Sequence, residues 1–89
     1  MPLKQENNME AIKNTIKDYI LSEFLPGEDP AELTDSTPLI SGGILDSLAT
    51  VKLVTFLEEK YHVEFEPYEL GPEYMDTIPD IVKLVSLKM

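Results

Sequence analysis

Apolar side chains recur at steps of three and four along three separate stretches of the chain, the spacing of amphipathic helices rather than of strands. In the first stretch Met9, Ile12, Ile16, Tyr19, Ile20 and Phe24 share one face of a helix that begins at about Asn8. Lys13, Asn14, Lys17 and Asp18 fall on the opposite face and are expected in solvent. Asn7 or Asn8 suits the N-cap, with Glu10 three residues after Asn7 in a box-like arrangement. Residues 1–7 are polar and are expected to be frayed or disordered. Pro26-Gly27 ends the helix, because proline cannot continue the hydrogen-bond ladder and glycine suits the turn.

A long connection follows from about Leu25 to Leu45, punctuated by Pro30, Pro38, Gly42 and Gly43. A structureless loop of roughly 20 residues is unusual in a compact domain, so this one either hides a short element or has a task. Asp29-Pro30 can start a single helical turn, with Asp29 as cap and Pro30 at the first position. Leu33, Leu39, Ile40, Ile44 and Leu45 give the loop enough apolar groups to be tied onto the core.

Asp46 caps a second helix that runs to about Tyr61, with Thr50, Leu53, Val54, Leu57 and Tyr61 on its core face. Leu48, Val51 and Thr55 lie outside that arc, near Glu59. They form either a docking surface or a patch covered by the preceding loop. From His62 to Pro72 the pattern is irregular, with one short helical turn expected at Pro67–Leu70 or Pro72–Met75. Thr77 opens a last helix whose apolar stripe is Ile78, Ile81, Val82 and Val85. Thr77 and Asp80 have the spacing of a capping box, and Pro79 is tolerated in the first turn. The pattern predicts an all-α fold: three main helices and a short fourth, closed into a bundle with a long first loop. At 89 residues a single domain spanning 1–89 is expected.

Composition narrows the chemistry. There is no cysteine, which removes disulfides and thiolate metal sites. Seven lysines stand against 17 acidic residues, for a net charge of −10. Such a surface repels nucleic-acid phosphates and anionic membranes, since cations supply most of that affinity. Basic docking patches on protein partners fit it, although acid also serves solubility alone. No apolar run approaches the roughly 20 residues of a membrane span. Met1-Pro2-Leu3-Lys4-Gln5 lacks the apolar core of a signal peptide, so a cytoplasmic monomer is expected.

No catalytic or metal site emerges from the residues. His62 is the sole histidine, about 15 residues and roughly 20 Å along the same helix from Ser47, so a Ser-His-Asp triad is not available. It reads instead as a helix-end residue that complements the dipole. Glu28-Asp29 with Asp35 does not supply calcium-loop spacing, and Gly42-Gly43 has no lysine to make a phosphate loop. Ser47 remains. It follows Asp46 in the first turn of a helix, where unsatisfied backbone amides and the dipole would stabilise a phosphodiester by about 0.3–1 kcal/mol. The residues alone leave two readings open: a phosphate-linked modification site, or simply a well-capped helix start.

The segment from Gly43 to Val54, with Asp46-Ser47-Leu48 at its centre, resembles the phosphopantetheine attachment site of acyl and peptidyl carrier proteins. Its G-x-x-D-S-[LM]-x-x-V-x-L pattern is met, Glu58-Glu59 stands near the helix end, and Asp76-Thr77-Ile78 matches the start of the family's last helix. The likeness covers residues 9 to 87. It implies a non-catalytic protein that carries an acyl or aminoacyl thioester on a 4'-phosphopantetheine arm. A phosphopantetheinyl transferase would attach the arm from coenzyme A to the Ser47 hydroxyl, with Asp46 helping to orient the metal-bound donor. Leu48, Val51, Glu58 and Glu59 would then be read by basic clefts of loading and acyl-processing enzymes. Reversing the charge of Glu58 and Glu59 together is expected to slow those reactions and leave the fold intact.

Departures from the pattern narrow the class. Carriers of fatty acid synthases usually have acid where this chain has Ala49 and Lys52. Gly43 stands four residues before the serine, which is similar to D-alanyl carriers and free-standing peptidyl carriers loaded by adenylating enzymes. A carrier of a specialised, natural-product pathway is the favoured expectation. A housekeeping carrier for fatty acids or D-alanylation stands as an alternative, and an unmodified acidic helical adaptor as another.

Overall fold

The computed structural model describes residues 9–89. The expected fraying of residues 1–7 and the Asn7 or Asn8 cap lie outside the described residues. Four α-helices occur in chain order: α1 (Met9–Phe24), α2 (Ser47–Tyr61), α3 (Pro72–Met75) and α4 (Ile78–Lys88). Single 3-10 turns precede α2 at Pro30–Glu32 and α3 at Pro67–Glu69, and no strand occurs among the described residues. The chain is an all-α bundle, as the periodicity predicts. The alternatives for the short helical turn both form, the first as a 3-10 turn and the second as α3.

Each main helix buries the stripe its spacing defines. Ile12, Ile16 and Ile20 of α1 meet Ile78, Ile81, Val82, Leu84 and Val85 of α4 in one core. α1 packs chiefly on α4, α3 packs on α4, and α1 touches α2 more lightly. The position of α2 therefore depends on its own Leu53, Val54 and Leu57 and on the loop residues Leu33, Leu39 and Leu45 beneath it. Full burial of such a side chain stabilises by about 1.5–3 kcal/mol. Tyr19 stacks on Phe56 at 4.1 Å between ring centroids and closes the α1–α2 seam.

Two side-chain expectations for α1 need correction. Met9, placed by spacing on the core face, is 54% exposed. It borders a surface cleft beside Pro79 and Val82. Lys13, placed in solvent, pairs with Asp35 of the long loop at 2.9 Å and ties that loop to α1.

The loop is anchored throughout. Asp29 caps the turn at Pro30, its carboxylate accepting the Ala31 N–H at 3.0 Å. The Leu45 N–H donates to the Leu39 carbonyl at 2.8 Å and closes residues 39–45 into a compact turn. Within it, a Cβ on Gly42 would overlap the Pro38 carbonyl oxygen, and Gly43 has φ of 87°. Neither position accepts an ordinary side chain without strain. At the other end of α2, His62 takes a left-handed conformation, φ 57° and ψ 48°, and terminates the helix as its C-cap.

Candidate functional site

Asp46 accepts the Ala49 N–H through Oδ1 at 2.8 Å, and the Asp46 carbonyl accepts the Thr50 N–H at 2.9 Å. The four leading N–H groups of a helix lack intrahelical partners. Here the Asp46 side chain takes that of Ala49, and the Thr50 N–H makes the first intrahelical bond. The N–H groups of Ser47 and Leu48 have no acceptor among the described residues. Ser47 is exposed at the first position of α2. The Thr50 hydroxyl donates to the Asp46 carbonyl at 2.9 Å, which lets this polar residue be buried in the core face.

Leu48 is 67% exposed and Val51 51% exposed. The long loop therefore does not cover them. Its apolar residues turn inward instead: Leu39 and Leu45 are buried, and Ile40 and Ile44 are half-buried. Thr55 and Glu59 are exposed along the same side of α2. Beside Ser47 lies a shallow cleft whose apolar lining is Ile40, Leu45, Val51 and Leu70. Ile40 comes from the loop before α2 and Leu70 from the segment after it, and spacing within α2 gives no sign of either.

Glu58 and Glu59 part company in the structure. Glu59 is exposed, whereas Glu58 is half-buried and its Oε2 accepts the Phe65 N–H at 2.9 Å. Glu58 thus ties the segment after α2 back onto the helix. Reversing both charges would break that tie, so the expectation of an undisturbed fold holds for Glu59 only. Ala49 and Lys52 also differ: Ala49 is buried and Lys52 exposed. The change of surface charge relative to an acid-bearing helix rests on Lys52.

Asp76 is the residue whose part in the site the sequence motif leaves unstated. Its carboxylate accepts the Ile40 and Ser41 N–H groups at 2.9 and 2.8 Å and the Ser41 hydroxyl at 2.7 Å. The Ser41 N–H, the Ser41 hydroxyl and the Ile40 N–H hold this carboxyl below the usual carboxylate range. At the start of α4 the Thr77 hydroxyl accepts the Asp80 N–H at 3.3 Å. The reciprocal bond of a full capping box is absent among the described residues. Glu69 is buried and paired with Lys88 at 2.8 Å, and the hydrogen bond from Lys88 keeps its carboxyl low.

Ser47 and His62 stand at opposite ends of α2, and no group of His, Asp and Glu among the described residues is arranged to hold a metal ion. No described helix is long and apolar enough to cross a membrane. The structure thus places an exposed serine at a capped helix start, beside exposed Leu48 and Val51, on an acidic helical bundle. No known family model matches the chain. It is 34% identical over 71 residues to the D-alanyl carrier protein of Streptococcus suis, covering 80% of this chain and 86% of that one. It is 34% identical over 74 residues to the D-alanyl carrier protein of Streptococcus uberis, covering 81% and 92%. To the "Probable acyl carrier protein PigG" of Serratia sp. it is 32% identical over 75 residues, covering 84% and 85%. The chain belongs to the acyl and peptidyl carrier protein family.

Proposed function

We propose that Ser47 Oγ is the attachment point for a 4'-phosphopantetheine arm from coenzyme A. The chain then delivers an acyl or aminoacyl group between enzymes of a specialised pathway. The observation that carries this reading is the exposed Ser47 hydroxyl at the first position of α2, next to the Asp46 cap. When bound, the arm supplies a thiol that holds the cargo as a thioester. The residues present fit it. The free N–H groups of Ser47 and Leu48 face a phosphodiester with favourable helix-end charge. Asp46 Oδ2 takes no hydrogen bond among the described residues, so it is available to a metal-bound donor in the transferase. The cleft of Ile40, Leu45, Val51 and Leu70 gives the proximal arm an apolar wall.

The chain itself performs no chemistry in this reading. It works in the cytoplasm, presenting Leu48 and Val51 to apolar sockets and Glu59 to basic rims of partner enzymes. Charge complementarity of this kind accelerates encounter and weakens with salt. Glu59→Lys is expected to lower the rate of partner reactions several-fold at low ionic strength, with an unchanged melting temperature. An unaltered rate at low salt removes Glu59 from the docking surface.

D-alanylation is the second reading, and the streptococcal relatives named as D-alanyl carriers favour it. Exposed Lys52 in place of acid weighs against a fatty-acid carrier in both cases. Arm-bearing protein offered to amino-acid adenylating enzymes, one of them specific for D-alanine, and to malonyl transfer separates these classes. Aminoacyl loading is expected. Loading by the D-alanine enzyme alone selects the second reading, and efficient malonyl loading without aminoacylation overturns both.

A further inference from the structure

The turn that precedes Ser47 is held from a distance. Four hydrogen bonds from three consecutive residues converge on Asp76: the Leu39 N–H reaches its carbonyl oxygen at 2.6 Å, and the Ile40 N–H, Ser41 N–H and Ser41 hydroxyl reach its carboxylate. The turn is stiff within itself, through the Leu45-to-Leu39 and Gly43-to-Ile40 hydrogen bonds of 2.8 and 3.1 Å. Pro38 packs against Gly42, so the turn has little room to rearrange. Its last residue, Leu45, leads directly into Asp46 and Ser47. Ile40 therefore stands as one wall of the cleft beside Ser47 because Asp76 pins its backbone.

Leu70, also in the lining, belongs to the segment that leads into α3, and Asp76 is the C-cap of α3. Asp76 lines no part of the cleft itself. Its effect must pass through the turn.

We propose that Asp76 is a positioning residue for modification of Ser47: by tethering Ile40 and Ser41 it fixes the loop wall against which a phosphopantetheinyl transferase seats the serine. The inference rests on the reading of Ser47 as the attachment point. With the carboxylate removed, only the Leu39 N–H bond to the Asp76 carbonyl remains; the turn then swings as a unit to positions that do not present the Ser47 face, and the enzyme meets a competent surface less often. A misplacement of about 1 Å can cost up to two orders of magnitude in such geometry. Asp76→Asn separates tether from charge. Its Oδ1 still accepts both N–H groups, while its Nδ2 donates to the Ser41 hydroxyl.

Wild type, Asp76→Ala, Asp76→Asn and Ser41→Ala are incubated with coenzyme A and a broad-specificity transferase, and arm addition is followed by intact mass at varied carrier concentration. The temperature is one at which circular dichroism shows every variant folded. Asp76→Ala is expected to raise KM for the carrier roughly tenfold with a smaller change in kcat, and Asp76→Asn to recover most of the loss. Amide exchange at Ile40 and Ser41 quickens in Asp76→Ala, while that of Leu53 and Leu57 stays slow. A wild-type KM in Asp76→Ala, or a rate that falls only with the unfolded fraction, overturns the positioning role and leaves the carrier reading standing. Should Asp76→Ala fail to fold, Ser41→Ala decides: a rise in KM of about threefold is expected, and a wild-type KM overturns the role. If wild type takes no arm, the carrier reading falls and the positioning role falls with it.

Discussion

Replacing Ser47 with alanine is expected to abolish loading completely while leaving the melting temperature almost unchanged. The two halves of that result have separate causes. Ser47 is exposed, and Asp46, not Ser47, supplies the cap to α2 through the Ala49 N–H. An exposed substitution that breaks no such feature typically shifts stability by no more than about 0.5 kcal/mol. Loading is all-or-none because a phosphodiester requires the Oγ atom, and alanine has none. None of the other four serines stands at the first position of an α-helix: Ser22 lies within α1, Ser36 and Ser41 in the long loop, and Ser86 within α4. Thermal melting and transfer of labelled cargo, run on the same preparation, check both halves. Residual loading, or a large fall in melting temperature, would contradict the assignment.

Leu53→Ala has the largest expected effect on the fold. Leu53 is fully buried at the centre of α2, the main helix least supported by its neighbours. Truncation removes packed atoms and leaves a cavity, for a cost of about 2–5 kcal/mol. Small domains are stable by only about 5–15 kcal/mol, so this is a large fraction. The expected fall in melting temperature is roughly 10 °C or more for a domain of this size. In urea the midpoint should drop with the slope unchanged. Leu48→Ala, in the same helix and 67% exposed, makes the contrasting control. It is expected to leave stability within about 0.5 kcal/mol of wild type. Equal losses at both positions would mean that the buried face of α2 is misassigned.

The helices were legible because their signals are local. Steps of three and four along Ile12, Ile16 and Ile20, and along Leu53, Val54 and Leu57, define the faces that the core buries. Asp29, Asp46 and Thr77 act as caps where the pattern places them. Met9 fails because periodicity says which face a residue shares, not how far the partner helix extends. The bond of Glu58 to Phe65 was not legible for a related reason: it depends on the fold-back of Phe65, which no helical spacing encodes.

The candidate site divides in the same way. Asp46, Ser47, Leu48 and Val51 lie within six consecutive residues and were visible as a motif. The walls of the cleft were not, since Ile40 and Leu70 are brought to Ser47 by tertiary packing. The tether from Asp76 to Ser41 spans 35 residues of sequence. Only the match of Asp76-Thr77-Ile78 to the start of a carrier's last helix marked that aspartate, and it did so without a role. Pairings of this range are set by the whole chain at once, which is why they emerge only with the fold.

The most direct test of Ser47 as an attachment point is the mass of the wild-type protein before and after incubation with coenzyme A and a broad-specificity phosphopantetheinyl transferase. A single phosphopantetheine increment, mapped by peptide fragmentation to Ser47, is the expected result. No increment, or one mapped to any other residue, would contradict it.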